Sequence, residues 1–155
     1  MGKRKVEKVK SSAESAIEDA KSEIESLKDE LQSWYDNLPE QFQSGDKGSQ
    51  LEEAISQLEN VEQYLEEVDT EELPTDLEEF EYVLPNRKTT SRAKRLENVM
   101  AGIEAAHDTI QTKVDELGEE KDEQTADIKE ILEPICDSLQ SALDEAQSVE
   151  FPGMY

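Results

Sequence analysis

The sequence is short of nearly everything a catalytic domain draws on. It holds one cysteine, one histidine and one tryptophan, and aromatic residues make up 5% of its 155 positions. The single Cys136 cannot close an internal disulfide, so cysteine usage gives no sign of an oxidising compartment. It falls in the apolar run Ile131-Leu132-Glu133-Pro134-Ile135-Cys136 and reads as a small core residue. No apolar stretch approaches the roughly 20 residues of a membrane span. The basic start, MGKRKVEKVK, is followed by Ser, Ala and Glu, where a secretion signal has an apolar core. A soluble, cytoplasmic protein with no membrane partner is the expectation.

Apolar residues are scarce as well. Hydrophobic residues are 34% of the chain against 36% charged, with a mean hydropathy of −0.84. A compact globule needs more core, whereas long helices packed along narrow stripes manage with less. Disorder shares this composition, and periodicity decides between them.

The periodicity is helical. Ile17, Ala20, Ile24, Leu27, Leu31, Trp34 and Leu38 alternate steps of three and four, a heptad seam. Val6, Val9, Ala13 and Ala16 continue it upstream across a stutter, so a first helix is expected over 4–37, ending before Pro39. Ser49 and Glu52 suit a capping box opening a second helix over 50–69, with Leu51, Ala54, Leu58, Val61, Leu65 and Val68 as its seam. Two helices joined by a short loop pair as an antiparallel hairpin. A short helix over 76–84 would carry Leu77, Phe80, Val83 and Leu84. A longer one spans 91–132, with a break near Gly118 left open. Pro134 suits the first turn of a last helix over 134–149, and 150–155 is an apolar tail.

The expected fold class is therefore all-α: an elongated antiparallel helical bundle or coiled-coil hairpin in a single domain, with no strand. The first helix would make a rod about 50 Å long. Its alanine-rich first half has no obvious partner of equal length in cis and is expected to pair with the late helices or with a second subunit, which favours a homodimer over a monomer.

Charge is the most informative property. The net charge is −24, yet ten of the 16 bases sit in two clusters: Lys3, Arg4, Lys5, Lys8, Lys10, and Arg87, Lys88, Arg92, Lys94, Arg95. Residues 48–86 contain 13 acids and no base. On the second helix Glu52, Glu53, Glu59, Glu62, Glu66, Glu67 and Asp69 avoid the flank that carries Gln50, Ser56, Gln57, Gln63 and Tyr64; Glu71 and Glu72 extend this ridge. The spacing is roughly one carboxylate per 4 Å, against about 1.7 Å per charge on duplex DNA. Two readings are open: a solvated face that keeps a long helix soluble, or carboxylates left unneutralised for a basic groove on a partner. The absence of lysine at i, i+4 keeps the second open.

The basic cluster Arg87 to Arg95 either touches a phosphate or clamps the acidic helices across the bundle. The tail residues Phe151, Met154 and Tyr155 either fold back on the bundle end or await a partner. Catalytic patterns are weak. Glu104-Ala-Ala-His107 has the Glu-x-x-His spacing of di-iron bundles, but those sites need a second histidine. Pairs such as Glu59/Glu62 and Glu119/Asp122 have the spacing found in all-α nucleotide pyrophosphohydrolases, without a phosphate-facing base. There is no calcium loop and no Walker A loop. No catalytic residue, metal or cofactor is expected.

In charge, the chain is similar to small DNA-mimic inhibitors, including those that phages use against host defence. That likeness carries no residue correspondence. The leading expectation is a non-enzymatic acidic module that occupies a basic, nucleic-acid-binding surface of a partner protein and does not itself bind nucleic acid. The alternatives are a structural coiled-coil subunit of a larger assembly and, third, an all-α metal-dependent nucleotide hydrolase.

Overall fold

The structure, a computed structural model, describes residues 8–74, 77, 79–85, 91–118 and 123–151. Four long helices carry it: α1 (Ala13–Asn37), α3 (Asp46–Glu66), α4 (Arg92–Leu117) and α5 (Glu123–Ser148), with a four-residue α2 (Glu40–Gln43) between the first two. The seams found by periodicity are the core. Ile17, Ile24, Leu27 and Leu31 face Leu51, Leu58 and Leu65 with no exposed surface, and Ile103, Ile110, Leu132 and Leu139 close the interior equally tightly. Each fully buried side chain of this size contributes about 1.5–3 kcal/mol of transfer free energy.

Helix α1 packs on α3 and α4, and α5 packs on the same two. The diagonal pairs are thus α1 with α5 and α3 with α4. Lys28 meets Glu62 and Tyr35 meets Glu52, so α3 runs antiparallel to α1. Gln57 meets Ser148 and Glu67 meets Ser138, so α5 runs antiparallel to α3. The segment from α3 to α4 must cross the bundle, an arrangement with one long crossover.

The helix ends follow local chemistry. Ser12 is the N-cap of α1, its hydroxyl accepting from the Ser15 amide, and Leu38 stops the helix before Pro39. Gln43 reaches back to donate to the Tyr35 and Leu38 carbonyls, which tightens the turn. Ser91 caps α4 through the Lys94 amide. Gly118, at φ 55°, ends it in a conformation that favours glycine, and Lys129 donates to its carbonyl.

Three expectations need correction. First, there are strands: β1 (Lys8–Ser11) and β2 (Phe80–Val83) form an antiparallel ribbon pairing Lys8 with Val83 and Ser11 with Phe80. Helical spacing alone predicts helices over both segments, 4–37 and 76–84. Helix α1 consequently has 25 residues, about 37 Å, not a rod of 50 Å. Second, α3 begins at Asp46 with Gly45 as its N-cap, so Ser49 is inside the helix and caps nothing. Third, the break near 118 is real, but Pro134 opens no new helix. It lies inside α5, on the exposed side, while Leu132, Ile135, Cys136 and Leu139 around it are buried. Burial of those residues offsets the roughly 3 kcal/mol that an interior proline costs. Ala13, Ala16 and Ala20 are buried within the chain, where α1 packs on α3 and on the late helix α4.

Candidate interaction surface

The acidic ridge of α3 divides between two faces. Glu52, Glu59, Glu62 and Glu66 lie on the flank toward α1, where Lys28 pairs with Glu62 at 3.1 Å and the Tyr35 hydroxyl donates to Glu52 at 2.7 Å. Glu53 and Glu67 lie toward α5, where Ser138 donates to Glu67. Asp69 accepts from the Glu71 amide at the turn Thr70–Glu72, so Asp69, Glu71 and Glu72 lie beyond the helix end. Glu53, Glu59 and Glu66 are exposed and have no hydrogen bond or ion pair among the described residues.

The structure adds what the sequence did not single out: carboxylates on α1. Glu18 accepts from Thr70 just past α3. Glu25 is seven residues from Glu18 and therefore on the same side of the helix. Asp29 bears on Lys28 together with Glu62 and Glu59, and Asp36 bears on Tyr35 together with Glu52. Burial alone lowers the Lys28 pKa; the hydrogen bond to Glu62 and the surrounding carboxylates outweigh it, and the net shift is upward. The Tyr35 hydroxyl is also raised, first by its hydrogen bond to Glu52. Glu18, Glu25, Asp29 and Asp36 thus form an exposed stripe along α1 beside the α3 flank of Glu52, Glu59, Glu62 and Glu66, with Lys21 and Lys28 between the two rows; Asp29 also borders a hollow toward α4 with Trp34 and Arg92.

Two bases of the second cluster, Arg92 and Arg95, are used inside the bundle. Arg95 grips Glu30 with two guanidinium nitrogens at 2.9 and 2.8 Å, and its Nε donates to Glu23 at 2.6 Å. That hydrogen bond to Arg95 holds the Glu30 carboxyl below its usual range, helped by the charges of Arg95 and Arg92. Arg92 lies over the Trp34 ring, 5.3 Å from its centroid, and Lys47 reaches the same ring at 5.5 Å. Arg92 and Arg95 therefore clamp α4 onto α1. Arg87 and Lys88, like Met154 and Tyr155 of the tail, lie outside the described residues. Lys94 is exposed on the first turn of α4, and Phe151 is half-buried against the core.

Of the spacings that suggested chemistry, Glu104 and His107 line one open cleft with Glu97, Asp108 and Gln140, while Glu119 and Asp122 lie outside the described residues. His107 Nδ1 faces Asp108 at 3.2 Å, and no group of three His, Cys, Asp or Glu is placed to hold a metal among the described residues. Burial, aided by Asp137, Asp115 and Glu133, pushes the Cys136 thiol up to about 11, so it stays protonated and a poor nucleophile near neutrality. No described helix is long and apolar enough to cross a membrane.

The described residues form a four-helix bundle in which the α1–α3 face is strongly acidic, as are the exposed sides of α4 and α5. Compared with protein families, curated proteins and solved structures, the chain matches none.

Proposed function

We propose that this protein is an acidic interaction module whose α1–α3 face occupies a basic, nucleic-acid-binding surface on a partner protein, in the manner of a DNA-mimic inhibitor. The observation that carries this reading is the gathering of eight carboxylates from two helices around only two lysines. Helices pack about 8–10 Å apart, and the i, i+7 rows space carboxylates about 10 Å along each axis. Together the eight fall over about 27 Å of α1, roughly one per 3–4 Å before the lysines are subtracted. That density is close to a single nucleic-acid strand, at about 3.4 Å per charge, and about half that of a duplex. The fit is therefore to a surface that tracks one phosphate backbone. Such a face also steers a basic partner toward it at low ionic strength.

The test is affinity capture with the wild-type protein and a variant carrying Glu25→Gln, Asp29→Asn, Glu59→Gln and Glu66→Gln. All four residues are exposed, and none supports the core. The wild type should retain nucleic-acid-binding proteins at low salt and release them as salt rises, and the variant should lose them at low salt. Equal retention by both would reduce the acidic face to solvation.

A further inference from the structure

The β1–β2 ribbon is the least integrated part of the fold. Two strands of four residues are marginal on their own, so the bundle must hold them in place. It holds them unequally. Phe80 and Tyr82 of β2 turn inward, and the Tyr82 hydroxyl fits where α4 has a glycine: a Cβ on Gly102 would stand 3.1 Å from that oxygen. Leu73 and Leu77, upstream of β2, also pack on the core. Strand β1 has half-buried Val9 and Ser11 facing inward, and Ser12 leads it directly into α1.

The two strands are also opposite in charge. Strand β1 is Lys-Val-Lys-Ser; β2 is Phe-Glu-Tyr-Val and follows Glu79. The register sets Lys10 opposite Glu81, and Lys10 Nζ lies 3.6 Å from Glu79 Oε2. Both members of that ion pair are more than 60% exposed, so it selects charge more than it adds stability. Released, β1 has another conformation open to it: Val9, Ala13 and Ala16 step by four and three, which continues the helical seam of α1.

We propose that β2 is a docking strand for a basic, extended peptide segment, and that β1 occupies it in cis as an autoinhibitory contact. The incoming segment adds as a strand, with main-chain bonds supplying affinity and alternate side chains supplying specificity. Its chemistry follows from the strand it replaces: small or β-branched residues facing α1 and α4, and lysine or arginine facing Glu79 and Glu81. The surface lies on the α1–α4 side of the bundle and does not depend on the α1–α3 face. Because β1 is tethered, it competes at high effective concentration, and the apparent affinity of the incoming segment falls by the fraction of time the edge is open.

The probe is a fluorescent synthetic peptide with the sequence of residues 5–12, titrated by anisotropy into the full chain. Lys10→Glu opposes like charges across the ribbon and should open the edge, tightening peptide binding about tenfold or more. A second variant joins Lys8→Cys with Val83→Cys, paired and exposed positions. Its oxidised form should lose peptide binding and its reduced form regain it, which separates occupancy of the edge from misfolding. Binding by the oxidised form, or no gain from Lys10→Glu, would overturn the proposal.

Discussion

Arg95 Nη2 stands 2.8 Å from Glu30 Oε2, a contact between side chains 65 residues apart in sequence. It explains why three described bases of the second basic cluster crowd the first turn of α4, where cations oppose the helix dipole. The α1 carboxylates Glu23 and Glu30 compensate them. Arg95→Ala should cost about 1–2 kcal/mol in urea unfolding near neutral pH, between the values for exposed pairs and for hydrogen bonds to charged groups. The Glu30 pKa is lowered from 4.5 in the folded state. Its contribution is therefore complete above the unfolded value and lost as pH falls through the folded one. The stability difference between wild type and Arg95→Ala should accordingly shrink in acid; a difference that stays constant there would assign Arg95 to packing.

Gly48 is needed for its missing side chain. It is buried in the first turn of α3, and a Cβ there would drive into the Gln43 backbone, the same residue whose side chain ties down the end of α1. Gly48→Ala should destabilise by about 2 kcal/mol or more, because backbone on both sides must move. Gly45 has ordinary space around it. As it is an N-cap without a side-chain bond, Gly45→Ser should be neutral or gain a few tenths of a kcal/mol. Thermal melts of the two variants check both statements.

Cys136 should resist thiol reagents at pH 8 in the folded protein and react on unfolding. It is 4% exposed and its thiol is pushed up to about 11. Cys136→Ala should cost about 1–2 kcal/mol through lost packing. Fast labelling of the native protein would place this part of α5 at the surface.

The Tyr82 hydroxyl should be dispensable and its ring should not. Burial, then the charge of Asp19, raises the Tyr82 pKa, so the group is a neutral phenol at any physiological pH. Tyr82→Phe should leave stability within about 0.5 kcal/mol, while Tyr82→Ala should speed amide exchange throughout β1 and β2 and leave the helices protected. Uniform acceleration across the chain would show that the ribbon and bundle unfold as one.

Long seams were legible in the sequence because a helix repeats its buried face every 3.6 residues, and seven residues such as Ile17 to Leu38 leave little ambiguity. Short strands were not. Val9 fits the alternation of a strand and also the helical stepping of Val6 and Ala13. Likewise Phe80 and Tyr82 alternate, while Leu77, Phe80 and Leu84 step by three and four. Four residues cannot separate the two periods; the pairing of β1 with β2, across about 70 residues, does. Pro134 misled for a related reason, since a local rule was overridden by burial on either side of it. The acidic surface was half legible. The α3 carboxylates were evident from the lack of nearby lysine, but Glu25, Asp29 and Asp36 join them only once α1 and α3 pack as they do.

On the proposed function, the α1–α3 face and a nucleic acid compete for one basic surface on the partner. The direct measurement is displacement: a labelled single-stranded oligonucleotide bound to the captured partner, followed by anisotropy as this protein is added at low salt. Displacement should be complete at low salt and weaken as salt rises. The variant with Glu25→Gln, Asp29→Asn, Glu59→Gln and Glu66→Gln should need at least about tenfold more protein. A ternary complex in which the partner holds both ligands, or equal displacement by wild type and variant, would contradict this competition.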